Sequence, residues 1–413
     1  MIDWNVIRDD FPALKRKVNG HAPVYLDSAC MSLKPQQVID AMNEYYERYP
    51  ACGGRSIHTF GREVSEAYDK ARERMAKFIN AEHPHECIWT RNATESINIV
   101  AQSVRLPKGS KIVTTSLEHH SGSLPFVERA KRDDLNIEVI RARPDGTFDI
   151  ETWKEAIDSN TSMVSVVHSS NVTGTVAPLD IIVELAHDRG ALVLSDDAQY
   201  APHHPMDVQS SDVDFSAISI HKMCGPSGMG LLYGKAELLN ELDMFLTGGD
   251  TVADVRFEGG RIIPEYLPPP EKFEAGLQNY AGAIGAGAAA EYLESIGVQE
   301  IEKHERRLLS RALQELMTMD TVHIIGTTDI TMRTGLVTFT VDTVESAHDV
   351  ATFLDTEYGV MVRSGWHCAG PFHYQLGINP KHGSIRASFY VYNNTGDVDR
   401  FLSGLRELIH VTS

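Results

Sequence analysis

Cysteine is scarce in this sequence, which has five cysteines among 413 residues and no C-x-x-C spacing. An odd number of scattered cysteines argues against a disulfide framework and against a zinc site, so we expect free thiols and no bound metal. Long apolar runs are missing as well, because nowhere do roughly 20 apolar residues follow one another, as a membrane-spanning helix requires. No association with a membrane is therefore expected.

Positive charge is also in short supply, since 38 Lys and Arg residues stand against 57 Asp and Glu residues and the net charge is -19. Such a chain repels nucleic acid and anionic membrane surfaces, so nucleic acid is not an expected partner and any phosphate must be held by local geometry. The first residues, Met1 to Asn5, lack the basic and apolar segments of a secretory signal. We expect a cytoplasmic protein.

Short apolar runs alternate with helical segments between residues 86 and 234. Such alternation predicts an α/β fold with a mostly parallel sheet and helices on both faces, and ligands gather at the carboxyl ends of the strands in sheets of this kind. The seven predicted strands are 87–90, 112–115, 137–140, 163–167, 192–195, 215–218 and 231–233.

The chain is long enough for a second, smaller domain. We predict an N-terminal segment at 1–20, a large domain at 21–280 and a small C-terminal α+β domain at 281–413 that carries a loop around Cys368. The glycine- and proline-rich stretch 248–270 is interpreted as a long functional loop.

An amine and a carboxylate follow two of the predicted strands. Lys222 follows strand 215–218 in the string Ser-Ile-His-Lys, and Asp196 follows strand 192–195. A pyridoxal 5′-phosphate (PLP) enzyme needs a lysine for a Schiff base and an acid to keep the pyridine nitrogen protonated. Gln199 could donate to the phenolic oxygen of that cofactor. Taken singly, the lysine and the aspartate are better explained as a solvated lysine and a capping aspartate, and a loop amide is the alternative for Gln199.

Two further turns suit the same cofactor. Residues 91–96 form a polar turn before a helix that starts near Thr94, where free N–H groups and the helix dipole favour an anion; a plain capping box is the alternative. His119 follows strand 112–115, and an imidazole there could stack on a pyridine ring and move a proton. A surface histidine is the competing interpretation.

The C-terminal part supplies a cysteine and an arginine. Cys368 lies in a glycine-flanked loop with Arg363 and His367 as neighbours, which would favour a reactive thiolate. Arg386 stands in an otherwise apolar strand and therefore needs an anion, for which a substrate carboxylate is suitable. A buried inert cysteine and a structural salt bridge are the alternatives.

In this combination and order, the motifs resemble those of the fold-type I PLP enzymes of aminotransferase class V, and among them the group II cysteine desulfurases, which include selenocysteine lyase-like members. The resemblance covers nearly the whole chain. It is carried by Tyr25-Leu26-Asp27-Ser28-Ala29, Arg55-Ser56-Ile57-His58-Thr59, Ala93-Thr94-Glu95, Glu118-His119-His120, Ser170-Asn171 with Gly174-Thr175, Asp196 with Ala198-Gln199, Ser219-x-His221-Lys222, Phe273-Glu274-Ala275-Gly276, the Cys368 loop and Arg386-Ala387-Ser388-Phe389.

The resemblance implies a role for each matching residue. Lys222 would bind the cofactor covalently and then act as the base at Cα, and Cys368 would accept the substrate sulfur. The other cofactor-binding residues would be Asp196 at the pyridinium, Gln199 at the phenolic oxygen, His119 on the ring, and Ala93, Thr94, Ser219 and His221 at the phosphate. The substrate-binding residues would be Asn171, Arg386, Arg363 and His58, with Asn171 also next to the cofactor.

The implied reaction converts L-cysteine to L-alanine and leaves a persulfide on Cys368, whose sulfur would serve iron–sulfur cluster or other sulfur-cofactor assembly. A homodimer and a sulfur-acceptor protein or iron–sulfur scaffold are the implied partners. The alternatives are a selenocysteine lyase acting on L-selenocysteine, another PLP-dependent carbon–sulfur lyase or an epimerase, and a PLP-binding assembly partner with little turnover.

Three positions depart from the family pattern. Leu277 stands where the family has a threonine that contacts the cofactor phosphate of a neighbouring subunit. Trp366 stands where a histidine is common, two residues before the cysteine. Asp197 replaces a common glycine next to the cofactor acid, and we expect its bulk and negative charge to shift substrate preference.

Overall fold

The computed structural model describes residues 2–379 and 381–412. Its strands, in chain order, are β1 Val24–Tyr25, β2 Cys87–Thr90, β3 Lys111–Thr115, β4 Asn136–Ile140, β5 Thr161–Val167, β6 Leu192–Asp196, β7 Phe215–Ser219, β8 Gly230–Gly234, β9 Val252–Glu258, β10 Arg261–Tyr266, β11 Val322–Ile325, β12 Leu336–Val341, β13 Val360–Met361, β14 Arg363–Gly365 and β15 Ser384–Ser388. Its α-helices are α1 Trp4–Asp9, α2 Gln36–Arg48, α3 Thr59–Phe78, α4 Ala93–Ser103, α5 His120–Asp133, α6 Ile150–Ala156, α7 Leu179–His187, α8 Ala236–Glu241, α9 Tyr280–Ile296, α10 Val298–Leu316, α11 Ala347–Tyr358, α12 Gly370–Gln375 and α13 Thr395–Thr412.

The large sheet has seven strands in the order β2-β8-β7-β6-β5-β3-β4. Strand β8 is antiparallel to both of its neighbours, and the other pairs are parallel. Strand β7 is buried at every position, as expected where helices cover both faces. The predicted mostly parallel seven-stranded sheet is confirmed, and its parallel strands end at one edge, with Asp196 and Ser219 as the last residues of β6 and β7.

A second, antiparallel sheet lies in the C-terminal part, in the order β11-β12-β15-β14. Its core joins Phe339 of β12 to Leu354 of α11 and Phe401 of α13. Strand β1 pairs in parallel with β13, so Val24 belongs to this core although it is far away in the chain. This small sheet faces the end of the large one and brings β14 and β15 towards it.

The predicted domain boundary at 280/281 falls at the start of α9. That helix packs against α2 and α3, and its apolar residues share a core with the large sheet. A Cβ at Gly287 would lie 2.8 Å from the Cα of Ala71, so α9 needs glycine there to approach α3. We propose that the large domain includes α9 and that the small domain begins with α10.

Residues 252–266 form a β-hairpin rather than the predicted long loop. Gly259 and Gly260, with φ of +56° and +75°, make the turn between β9 and β10, as two-residue hairpin turns require. The sequence does contain a signal for this hairpin, because Val255-Arg256-Phe257-Glu258 alternates apolar and polar residues before Gly259-Gly260, although nearly all of these residues are exposed. In the described part of the chain, no helix has both the length and the apolar character needed to cross a membrane.

Candidate active site

A cavity of about 520 Å³ lies where the strand ends of the large sheet meet β14, β15 and the segment that follows β14. Its walls come from both sheets. Of the residues predicted for the site, it is lined by Ala93, Thr94, His119, Asn171, Asp196, Gln199, Ser219, His221, Lys222, Arg363, Cys368 and Arg386.

Lys222 and Asp196 are the two charged groups on the large-sheet wall. Asp196 ends β6 and accepts a hydrogen bond from the backbone N–H of Ala198 at 3.1 Å, while Lys222 lies in the turn after β7. Burial lowers the pKa of Lys222, and the charge of Asp196 opposes that shift; burial raises the pKa of Asp196, and the charge of Lys222 opposes it. A lysine in these surroundings gives up its proton more readily than a solvated one, as a nucleophile or base must.

The start of α4 forms the second feature of this wall. Ser219 accepts a hydrogen bond from the N–H of Ala93 at 3.1 Å, and the hydroxyl oxygens of Thr94 and Ser121 lie 2.7 Å apart. Burial lowers the pKa of His221 to about 4, so its ring is neutral. Hydroxyl groups at a helix N-terminus suit an anion such as phosphate.

His119 supplies a flat, uncharged ring. Its Nδ1 accepts a hydrogen bond from the N–H of Ser121 at 3.1 Å, which leaves the ring hydrogen on Nε2. Burial, helped by the charge of Lys222, lowers the pKa of His119 to about 3. Behind it, buried Glu118 accepts from the N–H of Val167 at 2.9 Å, and burial raises the pKa of Glu118 to about 8.

Arg386 and Asn171 meet on the opposite wall. Arg386 donates from Nη1 to the carbonyl oxygen of Asn171 at 3.0 Å and from Nη2 to Oδ1 of Asp27 at 3.2 Å. Asn171 donates from Nδ2 to the carbonyl oxygen of His367 at 2.6 Å, and Gln199 donates from Nε2 to that of Ala29 at 2.6 Å. These bonds fix the side chains around the cavity.

Five buried polar atoms of cavity-lining residues have no hydrogen-bond partner among the residues that the structure describes. They are Nε of Arg386, Oδ1 of Asn171, Oε1 of Gln199, Nε1 of Trp366 and Nδ1 of His367. A buried polar atom without a partner costs about 1–3 kcal/mol. Their convergence on one cavity indicates that a polar ligand belongs there.

Cys368 is exposed and lies in a strained turn. Both His367 and Cys368 have left-handed backbones, with φ of +51° and +56°, and the carbonyl oxygen of Cys368 accepts from the N–H of His120 at 2.8 Å. The expectation that His367 favours the thiolate by its charge is wrong, because burial lowers its pKa well below the usual range and the ring is neutral. Of the two predicted neighbours, Arg363, about half exposed, is the one that carries a positive charge.

Two other expectations differ from the structure. His58 lies outside the cavity, exposed at the start of α3, where its Nδ1 accepts from the N–H of Gly61 at 3.2 Å. Asp197 points away from the cavity and contacts Nδ1 of His168 and Oγ of Ser216, each at 2.5 Å. Asp197 therefore does not line the cavity, and its charge reaches the site through Asp196, whose pKa burial and the charge of Asp197 both raise.

Of the other departures from the family pattern, Trp366 lines the cavity and packs edge-on against Tyr374, and Leu277 is exposed at the surface. Two residues near the site, Asp27 and Cys30, have no role in the predictions from sequence. Asp27 holds Arg386, and Cys30 lines the cavity itself. The only signal for them was their place in or next to the Tyr25–Ala29 motif.

Comparison with known proteins places this site in a family. The model of the aminotransferase class-V family matches residues 24–401. The chain belongs to that family, and the predicted fold type I is confirmed.

Within the family, the chain is similar to cysteine desulfurases over its full length. A probable cysteine desulfurase of Streptomyces coelicolor is 41% identical, with 99% of this chain and 97% of the relative covered, and a cysteine desulfurase of Haloferax volcanii is 40% identical, with 98% and 96% covered. The apo structure of a cysteine desulfurase from Thermococcus onnurineus superposes with a TM-score of 0.93 at 36% identity, covering 100% of this chain and 99% of that one. The prediction of a class V cysteine desulfurase is confirmed.

Family membership also confirms the predicted cofactor, PLP. The residues of the cavity fit it. A buried carboxylate at a strand end, a buried lysine, and hydroxyl groups at the start of α4 provide for a pyridine nitrogen, an aldehyde and a phosphate, and the unpartnered atoms of Gln199, Asn171 and Arg386 leave polar capacity for cofactor and substrate.

Proposed function

We propose that this enzyme converts L-cysteine to L-alanine and takes the sulfur onto Cys368 as a persulfide. The observation that carries this proposal is that an exposed cysteine lines the same cavity as the buried lysine. A PLP enzyme needs no second nucleophile to cleave a C–S bond by elimination. A thiol facing the lysine across the cavity provides a direct acceptor for the substrate sulfur.

On the large-sheet wall, Lys222 would bind the cofactor aldehyde and Asp196 its pyridine nitrogen, with His119 stacked on the ring. Gln199 would contact the phenolic oxygen. The carboxylate of Asp196 would keep a proton on the pyridine nitrogen of the bound cofactor, and the neutral ring of His119 adds no competing positive charge.

The phosphate would lie at the start of α4. Ala93 and Thr94 begin that helix, and Ser219 joins it to the end of β7. His221 follows in the next turn as a neutral hydrogen-bonding group. The helix dipole and hydroxyl groups can hold a dianion without a basic side chain, which suits a chain of net charge -19.

The substrate carboxylate would bind to Arg386 and Asn171, beside the unpartnered Nε and Oδ1 atoms. This binding places Cα next to Lys222, whose lowered pKa makes its amine a base for the Cα proton. When bound, PLP supplies the electron sink that stabilises negative charge at Cα.

Sulfur transfer is a separate step at Cys368. Its thiolate attacks the sulfur of the substrate, an S–S bond forms, and the C–S bond breaks with its electron pair on the carbon side. Protons then convert the carbon product to alanine. Arg363 lines the same cavity at its rim, and its side chain is about half exposed.

Alanine release by the wild type and by Cys368→Ala tests the proposal. We expect the variant to lose nearly all cysteine turnover, and the wild type to gain sulfur on the peptide with Cys368, as measured by mass spectrometry. Cys52→Ala, which removes an exposed thiol outside the cavity, is the matched control. Equal rates for the wild type and Cys368→Ala would exclude the persulfide mechanism. Turnover of L-selenocysteine by Cys368→Ala would identify selenocysteine as a second substrate.

The enzyme is further proposed to be a homodimer. The β9–β10 hairpin is a separate two-stranded sheet, and Phe257 and Ile262 on it are 77% and 74% exposed. An isolated exposed hairpin is marginally stable in water, and a second copy would cover it. Arg55 donates to the carbonyl oxygen of Val252, so the segment with His58 lies beside this hairpin, and we propose that His58 reaches the substrate of the second copy.

Light scattering of the wild type and of Phe257→Lys tests this assembly. We expect twice the monomer mass for the wild type and the monomer mass for the variant. Val6→Lys, which introduces the same change at another exposed apolar residue, is the control and should remain dimeric.

We also propose a cytoplasmic location and delivery of sulfur to an external acceptor. The acceptor is a sulfur-relay protein, an iron–sulfur scaffold or a small thiol. The segment with Cys368 is short and runs directly into α12, so the acceptor must bring its own thiol to the cavity.

A further inference from the structure

We infer that Cys30 is a second sulfur-carrying thiol of this enzyme, which takes the persulfide sulfur from Cys368 inside the cavity and frees Cys368 for another turnover. This inference rests on the proposed desulfurase reaction. It makes the active site a relay of two cysteines.

The first support is position. Cys30 and Cys368 line the same cavity, one from the N-terminal part of the chain and one from the small domain. Cys30 is half-buried and Cys368 is exposed, so Cys30 is the less solvent-accessible of the two thiols. A persulfide extends the reach of Cys368 by one S–S bond, about 2 Å.

The second support is how firmly Cys30 is held. The N–H of Cys30 donates to the carbonyl oxygen of Asp27 at 3.0 Å, and the N–H of Ala29 donates to Oγ of Ser388 at 2.9 Å. The carbonyl oxygen of Ala29 accepts from Gln199. The turn with Cys30 is thus tied to β15 on one side and to the cofactor wall on the other.

The third support is charge. Burial lowers the pKa of Lys222, the charge of Asp196 opposes that shift, and Cys30 and Cys368 act in the same direction as Asp196 in their thiolate forms. Cys30 acts in the same direction on the guanidinium of buried Arg386. Both thiols therefore lie within electrostatic range of one buried lysine, and Cys30 has a second cation close to it.

The remaining cysteines do not share these surroundings. Burial raises the pKa of Cys87 and of Cys224 to about 12, so both stay protonated and unreactive. Cys52 is exposed but lies outside the cavity. The unpartnered atoms of Asn171 and Arg386 independently mark the same cavity as a place where a ligand binds.

The transfer is balanced without a further reagent. The thiolate of Cys30 attacks the outer sulfur of the Cys368 persulfide, a new S–S bond forms on Cys30, and the old S–S bond breaks with its electron pair on Cys368. The proton released by the Cys30 thiol ends on the Cys368 thiol. The sulfur keeps its oxidation state, so no oxidant or reductant is consumed.

Rapid-quench reaction with L-cysteine and no other thiol, stopped before free L-cysteine removes sulfur from the enzyme, tests the relay. We expect a burst of two alanines per wild-type subunit and one per Cys30→Ala subunit, a twofold difference, with Cys52→Ala equal to the wild type. After alkylation, peptide mapping of the wild type alone should find persulfide on both Cys30 and Cys368, a result that needs no variant.

Each other outcome is decisive. Sulfur on Cys368 alone, with one alanine per wild-type subunit, overturns the relay and leaves the desulfurase proposal intact. In Cys368→Ala we expect no sulfur on Cys30; sulfur found there would show direct transfer from substrate and contradict the order of the two thiols. Undiminished alanine formation by Cys368→Ala would instead remove the desulfurase mechanism itself.

Discussion

The two walls of the active-site cavity are built in different ways. On the large-sheet wall, Asp196 and Ser219 are the last residues of buried parallel strands and are held by hydrogen bonds. On the small-domain wall, Cys368 follows another left-handed residue in a turn and is exposed. The first wall, called the rigid wall below, can hold a ligand in place, and the second presents a thiol to solvent, as the proposed transfer of sulfur to an external acceptor requires.

Loss of Lys222 should have the largest effect, because it removes from the rigid wall both the attachment point of the cofactor and the base for the Cα proton. We expect Lys222→Ala to lower alanine formation by ~1,000-fold or more, since a positioned base alone contributes about 10²–10⁴-fold. Borohydride trapping and peptide mapping should find the pyridoxyl adduct on Lys222 in the wild type only. Lys77→Ala, at an exposed lysine, is the control. An adduct on another lysine would contradict the assignment.

Arg386 and Arg363 provide a direct comparison of a buried and an exposed cation in the same cavity. Arg386 is 3% exposed and the Arg363 side chain 51%. We expect Arg386→Lys to raise KM for L-cysteine about 10–100-fold, because a lysine cannot replace the planar fork at a carboxylate. Arg363→Lys should change KM less than about 3-fold, as expected of a solvent-screened charge. Equal effects from steady-state kinetics would show that the carboxylate binds at the rim.

Much of the rigid wall could be predicted from the sequence. The strands before Asp196 and Lys222 are short apolar runs, and the rule that ligands gather at the carboxyl ends of parallel strands places both residues at one edge. The seven-stranded sheet followed from the same alternation. These features depend on local pattern, which a single sequence contains.

The other features depend on tertiary contacts. Neither the pairing of β1 with β13 nor the entry of Cys30 into the cavity has a local signal, because each joins distant parts of the chain. The neutral state of His367 is a consequence of burial, which its sequence neighbours do not reveal. The β9–β10 hairpin, in contrast, has a local signal in the alternation Val255-Arg256-Phe257-Glu258 and the pair Gly259-Gly260, but it lacks the buried face that usually accompanies such alternation.

The pH dependence of stability at Glu118 measures how strongly the rigid wall excludes water. Burial raises its pKa from 4.5 to about 8, so the folded protein holds a proton there that the unfolded chain releases above pH 4.5. The free energy of unfolding should therefore fall as the pH rises from 4.5 towards 8. Glu118→Gln cannot lose this proton, and its stability relative to the wild type should grow by about 2 kcal/mol between about pH 6 and pH 8.

Urea unfolding at both pH values, with PLP in constant excess, measures this difference. Glu66→Gln makes the same chemical change at an exposed position on α3 and serves as the control. A constant difference between Glu118→Gln and the wild type would mean that Glu118 is ionised in the folded protein.

Asp196 and Asp197 make the sharpest comparison within the rigid wall, because neighbouring residues at a strand end point in opposite directions. Asp196 lines the cavity, whereas Asp197 contacts His168 and Ser216 behind it. We expect Asp197→Asn to leave KM for L-cysteine unchanged within about 2-fold. It should lower the free energy of unfolding by about 1–3 kcal/mol, because the amide cannot accept from Ser216 and His168 in the way the carboxylate does.

Asp196→Asn is the matched variant, since it makes the same chemical change one residue earlier. It should reduce alanine formation far more than Asp197→Asn does, and the comparison requires only steady-state rates and urea unfolding on the two proteins. A selective change in KM between L-cysteine and L-selenocysteine in Asp197→Asn would show that its charge reaches the substrate through the strand end. The contacts of Asp197 would then position Asp196 in addition to stabilising the fold. Asp197 would thus act on the active site although it does not line the cavity.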